Sequence, residues 1–112
     1  MSFEPRDYLL HILGETEYLR RASASTTAEA FLADETLKRA FVRSVEIIGE
    51  AVKKLPESVR TAHPEIPWSA IARMRDRVIH GYFGVDYQLV WDVVTTKIPE
   101  LAGAVEAILA EE

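Results

Sequence analysis

The apolar residues of this chain recur at intervals of three and four along nearly its whole length. No stretch alternates apolar and polar residues as a half-exposed strand does. The clearest stripe comprises Leu37, Phe41, Val45, Ile48, Val52 and Leu55. This spacing places one apolar face on a helix, and 48% of the residues are apolar, enough for a packed interior. The pattern predicts an all-α protein, an up-and-down bundle of four main helices with one or two short helices.

Prolines and capping residues mark where these helices begin and end. Pro5 and Pro67 suit first-turn positions, Asp34 and Asp86 suit N-caps, and Pro56 stops a helix. A short helix with a threonine cap is expected after the Ser/Thr run at 23–27, and a helical turn is expected at 57–61. The predicted helices cover residues 5–22, 28–32, 35–55, 67–80 and 87 onward.

Two residues inside these helices destabilise the helical conformation. Gly49 lies in the middle of a helix, where it costs about 1 kcal/mol relative to alanine. A close approach of another helix would explain the glycine. Pro99 interrupts the last helix and should kink it near Thr95, because proline removes a backbone donor and crowds the carbonyl four residues earlier.

Composition excludes several classes of protein. The 112 residues, 1–112, are expected to form one domain, and there is no cysteine for disulfides or thiolate metal sites. The three histidines show no paired ligand spacing, so no metal or other cofactor is expected. No stretch is apolar enough to span a membrane, and the N-terminus lacks a signal-peptide pattern. The default expectation is a soluble cytoplasmic protein.

The charge is unevenly distributed along the chain. The net charge is −5, yet residues 38–77 hold nine of the 13 basic residues and only five acidic ones, a local balance of +4. The flanks therefore carry −9. A general coat for nucleic acid is disfavoured, because such proteins depend on clustered Lys and Arg. A basic middle between acidic ends favours a local anion site, although ordinary solvated helix faces explain the charges equally well.

The residue types best suited to chemistry occur in the run Arg75-Asp76-Arg77-Val78-Ile79-His80-Gly81-Tyr82. Arg75 offers a permanently cationic guanidinium that fits phosphate oxygens, and His80 an imidazole of the kind that exchanges protons near neutral pH. Tyr82 adds a hydroxyl. These three groups point to phosphate chemistry.

Each of the three residues also has a purely structural interpretation. Arg75 could be a solvated or salt-bridged surface residue, His80 a favourable cation at a helix C-terminus, and Tyr82 a loop anchor. On an ideal helix, Arg75 and His80 point about 140° apart. The long arginine side chain, the position of His80 in the last turn, or a local bulge would reduce that separation.

Longer stretches around this motif resemble a known family. The segment RDRVIHGYFGVDYQLVWDVVTTKIPEL is similar to the HEPN superfamily, and in particular to its HepT toxin branch, which has the same arginine, four residues, histidine, one residue, tyrosine pattern. Upstream, residues 43–51 resemble the family's helix with its EIIGEA core. The resemblance covers almost the whole chain and implies the HEPN helical bundle.

The resemblance also implies an activity and partners. HepT-like proteins are metal-independent endoribonuclease toxins of type II toxin–antitoxin systems and act as homodimers whose two motifs face one cleft. The antitoxin is a minimal nucleotidyltransferase that transfers AMP to the motif tyrosine, here Tyr82. By this resemblance, Arg75 and His80 are the catalytic candidates for cleaving RNA.

The remaining charged residues of the motif receive supporting roles. Arg73 and Arg77 are expected to contact the RNA strand, and Asp76 to orient an arginine or histidine, with a surface role for Asp76 equally open. Glu46 and Glu50 are expected to form an acidic helix face or a partner contact. Two alternatives stay open: a non-catalytic module that binds nucleotide or the nucleotidyltransferase, and a helical interaction domain with a structural motif.

Overall fold

The first half of the chain forms three helices whose ends follow the predicted caps. A computed structural model describes residues 4–80 and 84–111. Helix α1 spans Pro5–Ala24, α2 spans Ala28–Leu32 and α3 spans Glu35–Lys54. Thr27 accepts a hydrogen bond from the third residue of α2, and Asp34 accepts one from the third residue of α3. These side chains satisfy backbone donors that a helix start leaves free, as predicted.

The middle of the chain consists of short helices. Helix α4 spans Glu57–Ala62, α5 spans Trp68–Ala72 and α6 spans Met74–Val78. Pro56 and Pro67 stand immediately before α4 and α5, where the missing N–H costs no hydrogen bond. The predicted helix over 67–80 is therefore wrong in its extent, since it is divided in two and ends at residue 78.

The C-terminal helix has the predicted cap and an irregular centre. Asp86 accepts a hydrogen bond from the third residue of α7, which spans Tyr87–Asp92. A wide π-helical turn follows at Val93–Lys97, and α8 spans Ile98–Ala110. The carbonyl that the Pro99 ring crowds, four residues earlier, lies inside that wide turn. The expected kink is thus realised as a widened turn.

Packing of these helices around one core confirms the all-α bundle. Helix α1 packs against α3 and α8, and α3 also packs against α5, α6 and α7. Fully buried side chains come from every long helix. Those of largest volume are Phe31, Phe41, Leu9, Ile12, Leu19, Ile48, Ile98, Val45, Val52, Val78, Val90 and Val94. Along the described residues, no helix is both long and apolar enough to cross a bilayer.

Gly49 marks a close approach between α3 and α5. A Cβ atom at this position would lie 3.2 Å from the carbonyl oxygen of Ala72. That distance is tighter than almost all real Cβ contacts, so the missing side chain allows the backbone of α5 to lie directly on α3. The expected close helix–helix approach is confirmed. It fixes the start of the motif segment, which comprises α5, α6 and the turn that holds His80, against α3.

Candidate active site

The motif segment bends immediately after its contact with α3. Arg73 has φ −100° and ψ 5° and separates α5 from α6. Met74 and Val78, one turn apart in α6, are both buried. The bend lets α6 keep this short apolar face on the core after the carbonyl of Ala72 has packed on Gly49. A continuous helix through Arg75 and His80 was the wrong expectation for this reason.

His80 lies beyond the end of α6, in a backbone turn rather than in a helix. Ile79 is extended, with φ −107° and ψ 116°, and forms an isolated antiparallel bridge with Val85. The His80 N–H donates to the Gly84 carbonyl at 2.7 Å, and the Asp86 N–H donates to the Val78 carbonyl at 2.8 Å. The angular separation calculated for an ideal helix therefore does not apply to Arg75 and His80.

Gly84 belongs to this turn and not to the helix end. Its φ is +96°, a conformation that side chains with a Cβ rarely adopt. Gly84 does not terminate the motif helix, because α6 has already ended at Val78. Gly81 and Tyr82 lie outside the described residues.

Arg75 stands between two carboxylates. Its Nε lies 3.5 Å from Oε2 of Glu46 on α3, and its Nη1 donates to Oδ1 of Asp76 at 3.4 Å. The Arg75 side chain is 47% exposed, and that of Glu46 only 26%. The two contacts engage Nε and Nη1, and the half-exposed guanidinium keeps further N–H donors for a ligand in solvent.

The hydrogen bond of the His80 ring indicates which nitrogen carries its proton. Nε2 lies 3.0 Å from the backbone carbonyl oxygen of Arg77, and the residue is exposed. A carbonyl only accepts, so this hydrogen bond requires the proton on Nε2. A neutral ring then has its lone pair on Nδ1. The turn thus holds an imidazole whose free nitrogen can accept a proton.

The two other arginines of the motif segment are not gathered around Arg75. Arg73 and Arg77 are exposed, and Arg77 lines a groove between α6 and α8 together with Lys97. Arg75 instead reaches toward α3. In the described part of the chain, Arg75 and His80 make no hydrogen bond to each other. Contacts to RNA by Arg73 and Arg77 stay a prediction, and Asp76 is in place to orient Arg75.

Glu46 is the residue that sequence reasoning assigned to a different role. The sequence predicts that Glu46 and Glu50 form an acidic face or a partner contact, but Glu46 pairs with Arg75, whereas Glu50 is exposed. The available signal was Gly49, three residues later. A glycine that predicts a close helix approach also predicts that polar residues one turn away on α3 will meet the approaching segment.

Residues 4–80 and 84–111 contain no candidate metal centre. No three histidine or acidic side chains in these ranges lie close enough together to hold a metal ion. The carboxylates of Glu46 and Asp76 both face a cation that the protein itself supplies, the guanidinium of Arg75.

Comparisons with known proteins place these features in a family. Residues 12–108 match the family described as Ribonuclease HepT-like. A protein of Caldanaerobacter subterraneus subsp. tengcongensis named "Putative RNase" is 51% identical over 108 residues, 96% of each chain. One named "Probable ribonuclease HepT" from Thermococcus cleftensis is 43% identical over 108 residues, covering 96% of this chain and 98% of the relative.

Another relative, from the archaeon Methanocaldococcus jannaschii and again named "Putative RNase", is 39% identical over 106 residues, 95% of this chain and 88% of the relative. No solved structure matches the chain. The family match spans the helix that carries Glu46, the motif segment and the C-terminal helix. On these grounds the chain belongs to the HepT-like ribonuclease family.

Proposed function

We propose that this protein is an endoribonuclease toxin that cleaves RNA without a metal ion, with Arg75 and His80 as its catalytic residues. The observation that carries the proposal is the half-exposed guanidinium of Arg75, oriented by Glu46 and Asp76, near a turn that presents an exposed imidazole. Membership of the HepT-like ribonuclease family supports RNA as the substrate.

Metal-independent cleavage of RNA uses the 2′-hydroxyl of the substrate as the nucleophile. His80 accepts the 2′-hydroxyl proton at Nδ1 as the oxygen attacks the adjacent phosphorus. The bond to the 5′-oxygen breaks, and that oxygen takes a proton from an acid. The products are a 2′,3′-cyclic phosphate and a 5′-hydroxyl. Arg75 donates hydrogen bonds to the phosphoryl oxygens, where negative charge develops.

A homodimer supplies the groups that a single chain lacks. One protomer offers one motif imidazole, whereas the reaction needs a base and an acid at the same time. Two motifs facing a shared cleft would place two histidines and two arginines around one phosphodiester. Arg73 and Arg77 then contact the RNA strand on either side of the scissile phosphodiester. The enzyme would act in the cytoplasm, where its RNA substrate is made.

Regulation by AMP transfer to Tyr82 completes the proposal. A cognate nucleotidyltransferase antitoxin would bind the dimer and use ATP. The tyrosine oxygen attacks the α-phosphorus of ATP, pyrophosphate leaves and the phenolic proton is lost. The added nucleotide would block the cleft by its size and negative charge. Intact mass after co-expression with the antitoxin should increase by one or more AMP groups, and the increase should vanish in Tyr82→Phe; unchanged wild-type mass would contradict this regulation.

The test of the activity is cleavage of labelled RNA by the purified full chain in excess EDTA. His80→Ala should lower the rate roughly 100- to 10,000-fold, because it removes the proton acceptor. Arg75→Ala should lower it roughly 100- to 1,000-fold through lost charge stabilisation. His11→Ala is the matched control, since His11 is an exposed histidine on α1, and it should cleave at the wild-type rate.

The outcomes separate the proposal from its main alternative. Wild-type RNA binding without cleavage would identify a binding module instead of a nuclease. Cleavage that EDTA abolishes would rule out the metal-independent route. A terminal 3′-phosphate that is never cyclic, even at early times, would exclude attack by the 2′-hydroxyl.

A further inference from the structure

Two arginines on α3 share a flank of that helix with Glu46. Arg39, Arg43 and Glu46 are spaced by four and three residues, which places them within about 60° of one another around the helix axis. Arg39 and Arg43 are both exposed. The α3 flank, defined here by Arg39, Arg43 and Glu46, therefore continues from the Arg75 contact toward the N-terminus of α3.

The order of contacts along α3 shows how the motif segment runs beside this flank. Gly49 lies against the carbonyl of Ala72, at 3.2 Å from a Cβ position. One turn earlier in α3, Glu46 pairs with Arg75 at 3.5 Å. As the chain proceeds from α5 into α6, it therefore advances toward the N-terminus of α3.

The same order continues to the start of α7. The ammonium group of Lys38 lies 4.7 Å from the ring centre of Tyr87. Residues 38 and 46 are eight residue steps apart along α3, about 12 Å of helix. The turn that holds His80 also falls between Arg75 and Tyr87. Arg39 and Arg43 consequently occupy the length of α3 beside which that turn emerges.

The two arginines have charge to offer a ligand. Lys38 is engaged, with its ammonium 3.0 Å from Glu35 and over the Tyr87 ring. Neither Arg39 nor Arg43 forms an ion pair within the described part of the chain. The acid one turn after Arg43, Glu46, already faces Arg75, and the acid one turn before Arg39, Glu35, already faces Lys38. An anion from solution would therefore meet two unneutralised guanidinium groups.

We propose that Arg39 and Arg43 form a phosphate-binding track that holds the RNA backbone on one side of the scissile bond. The inference rests on the proposed ribonuclease function and extends it by assigning a path to the strand. Exposed arginines in a row that leads from the catalytic arginine bind backbone phosphates without reading bases. Binding through this track is independent of sequence and weakens with salt.

The experiment measures RNA affinity against salt concentration with a protein that cannot cleave. In the His80→Ala full chain, anisotropy of a labelled single-stranded RNA is followed between about 50 and 200 mM KCl. The plot of log K against log salt has a negative slope. That slope should become shallower by about 0.7 for Arg43→Gln and by about 1.4 for the Arg39→Gln/Arg43→Gln double variant. Arg21→Gln, which removes an exposed arginine from α1, is the control and should retain the parent slope.

Cleavage kinetics provide a second readout in the chain with His80 intact. Loss of the track should raise KM about tenfold or more and leave kcat within about twofold, because the track binds substrate and transition state alike. Thermal unfolding should be unchanged for all variants, since both arginines are exposed. If the double variant has the same salt slope and KM as Arg21→Gln while the wild type binds and cleaves RNA, the proposed phosphate-binding track is wrong. The proposed ribonuclease function would not be affected by that result. If wild type neither binds nor cleaves, both proposals fail.

Discussion

At the scale of single residues, the contact between Glu46 and Arg75 decides where the guanidinium points. Arginine has a flexible stem, and the contacts of Nε with Glu46 and of Nη1 with Asp76 leave the remaining Nη donors open toward solvent. The contact is long, at 3.5 Å, and the guanidinium is half exposed, so it stabilises the fold by at most about 1 kcal/mol. Its consequence lies in orientation.

Replacing Glu46 with glutamine should therefore lower the rate of cleavage more than the stability. The neutral amide holds Arg75 more weakly, and misplaced donors cost up to about 100-fold in kcat. KM should not increase, since removing an acid leaves more positive potential at the phosphate. Measurements of kcat, KM and the unfolding temperature check this combination.

Glu50→Gln provides the matched control for that charge change. Glu50 is one turn further along α3, is exposed and forms no ion pair within the described residues. The control should leave kcat unchanged. Equal loss of kcat in both variants would mean that the acidic surface, and not the orientation of Arg75, supports catalysis.

Residue identity in the motif could be predicted from the sequence, but the contacts around it could not. Arg75, His80 and Tyr82 stand out because their side chains suit phosphate chemistry and are closely spaced. The Glu46 contact joins residues on separate helices, and nothing local in the sequence fixes that pairing. The hydrogen bond from the His80 ring to the Arg77 carbonyl depends on the turn after α6, which a helical interpretation of 67–80 conceals.

At the scale of elements, the approach of α5 to α3 at Gly49 holds the motif segment in place. The backbone of Ala72 lies where a side chain on α3 would otherwise stand. Arg75 follows three residues later, so any displacement of α5 is transmitted directly to the guanidinium. The position of the candidate site therefore depends on a contact that contains none of the proposed catalytic residues.

Gly49→Val should destabilise the protein and reduce its activity together. The branched side chain meets the Ala72 carbonyl and must push α5 outward, at a cost of about 1–3 kcal/mol. Denaturant unfolding measures the first effect and RNA cleavage at a temperature where the variant is folded measures the second. Wild-type stability in this variant would show that α5 can move freely.

Gly103→Ala is the corresponding control in α8. No atom lies within 4 Å of a Cβ built at Gly103. Alanine should therefore stabilise the helix by up to about 1 kcal/mol without altering cleavage. A loss of stability in Gly103→Ala would mean that helix propensity and local space do not explain how substitutions at Gly49 and Gly103 change the stability.

Helix ends signalled by side chains could be predicted, and ends set by packing could not. Thr27, Asp34 and Asp86 cap their helices as expected, because a cap needs only a local side-chain oxygen. The break at Arg73 has no glycine or proline to signal it, and it follows from the contact with α3. Pro99 indicated an irregularity, but its form as a wide turn depends on how α8 packs.

At the scale of the whole molecule, the net negative charge opposes the binding of RNA, which is itself negatively charged. The chain has a net charge of −5, which disfavours general attraction of RNA, while residues 38–77 carry +4. Under the proposed function, the basic residues on α3 and α6 would attract the strand locally, and the acidic flanks would limit binding elsewhere on the surface.

A protomer of 12.6 kDa has one motif, so the composite cleft predicts that activity follows dimer formation. Diluting the enzyme should lower the cleavage rate per chain as the species of twice this mass disappears, because the monomer lacks a second imidazole to serve as acid. Sedimentation and cleavage measured over the same concentration series should give the same midpoint. Full activity per chain in a solution of monomers would show that one motif suffices, and His80 would then have to return to the leaving oxygen the proton that it first accepted.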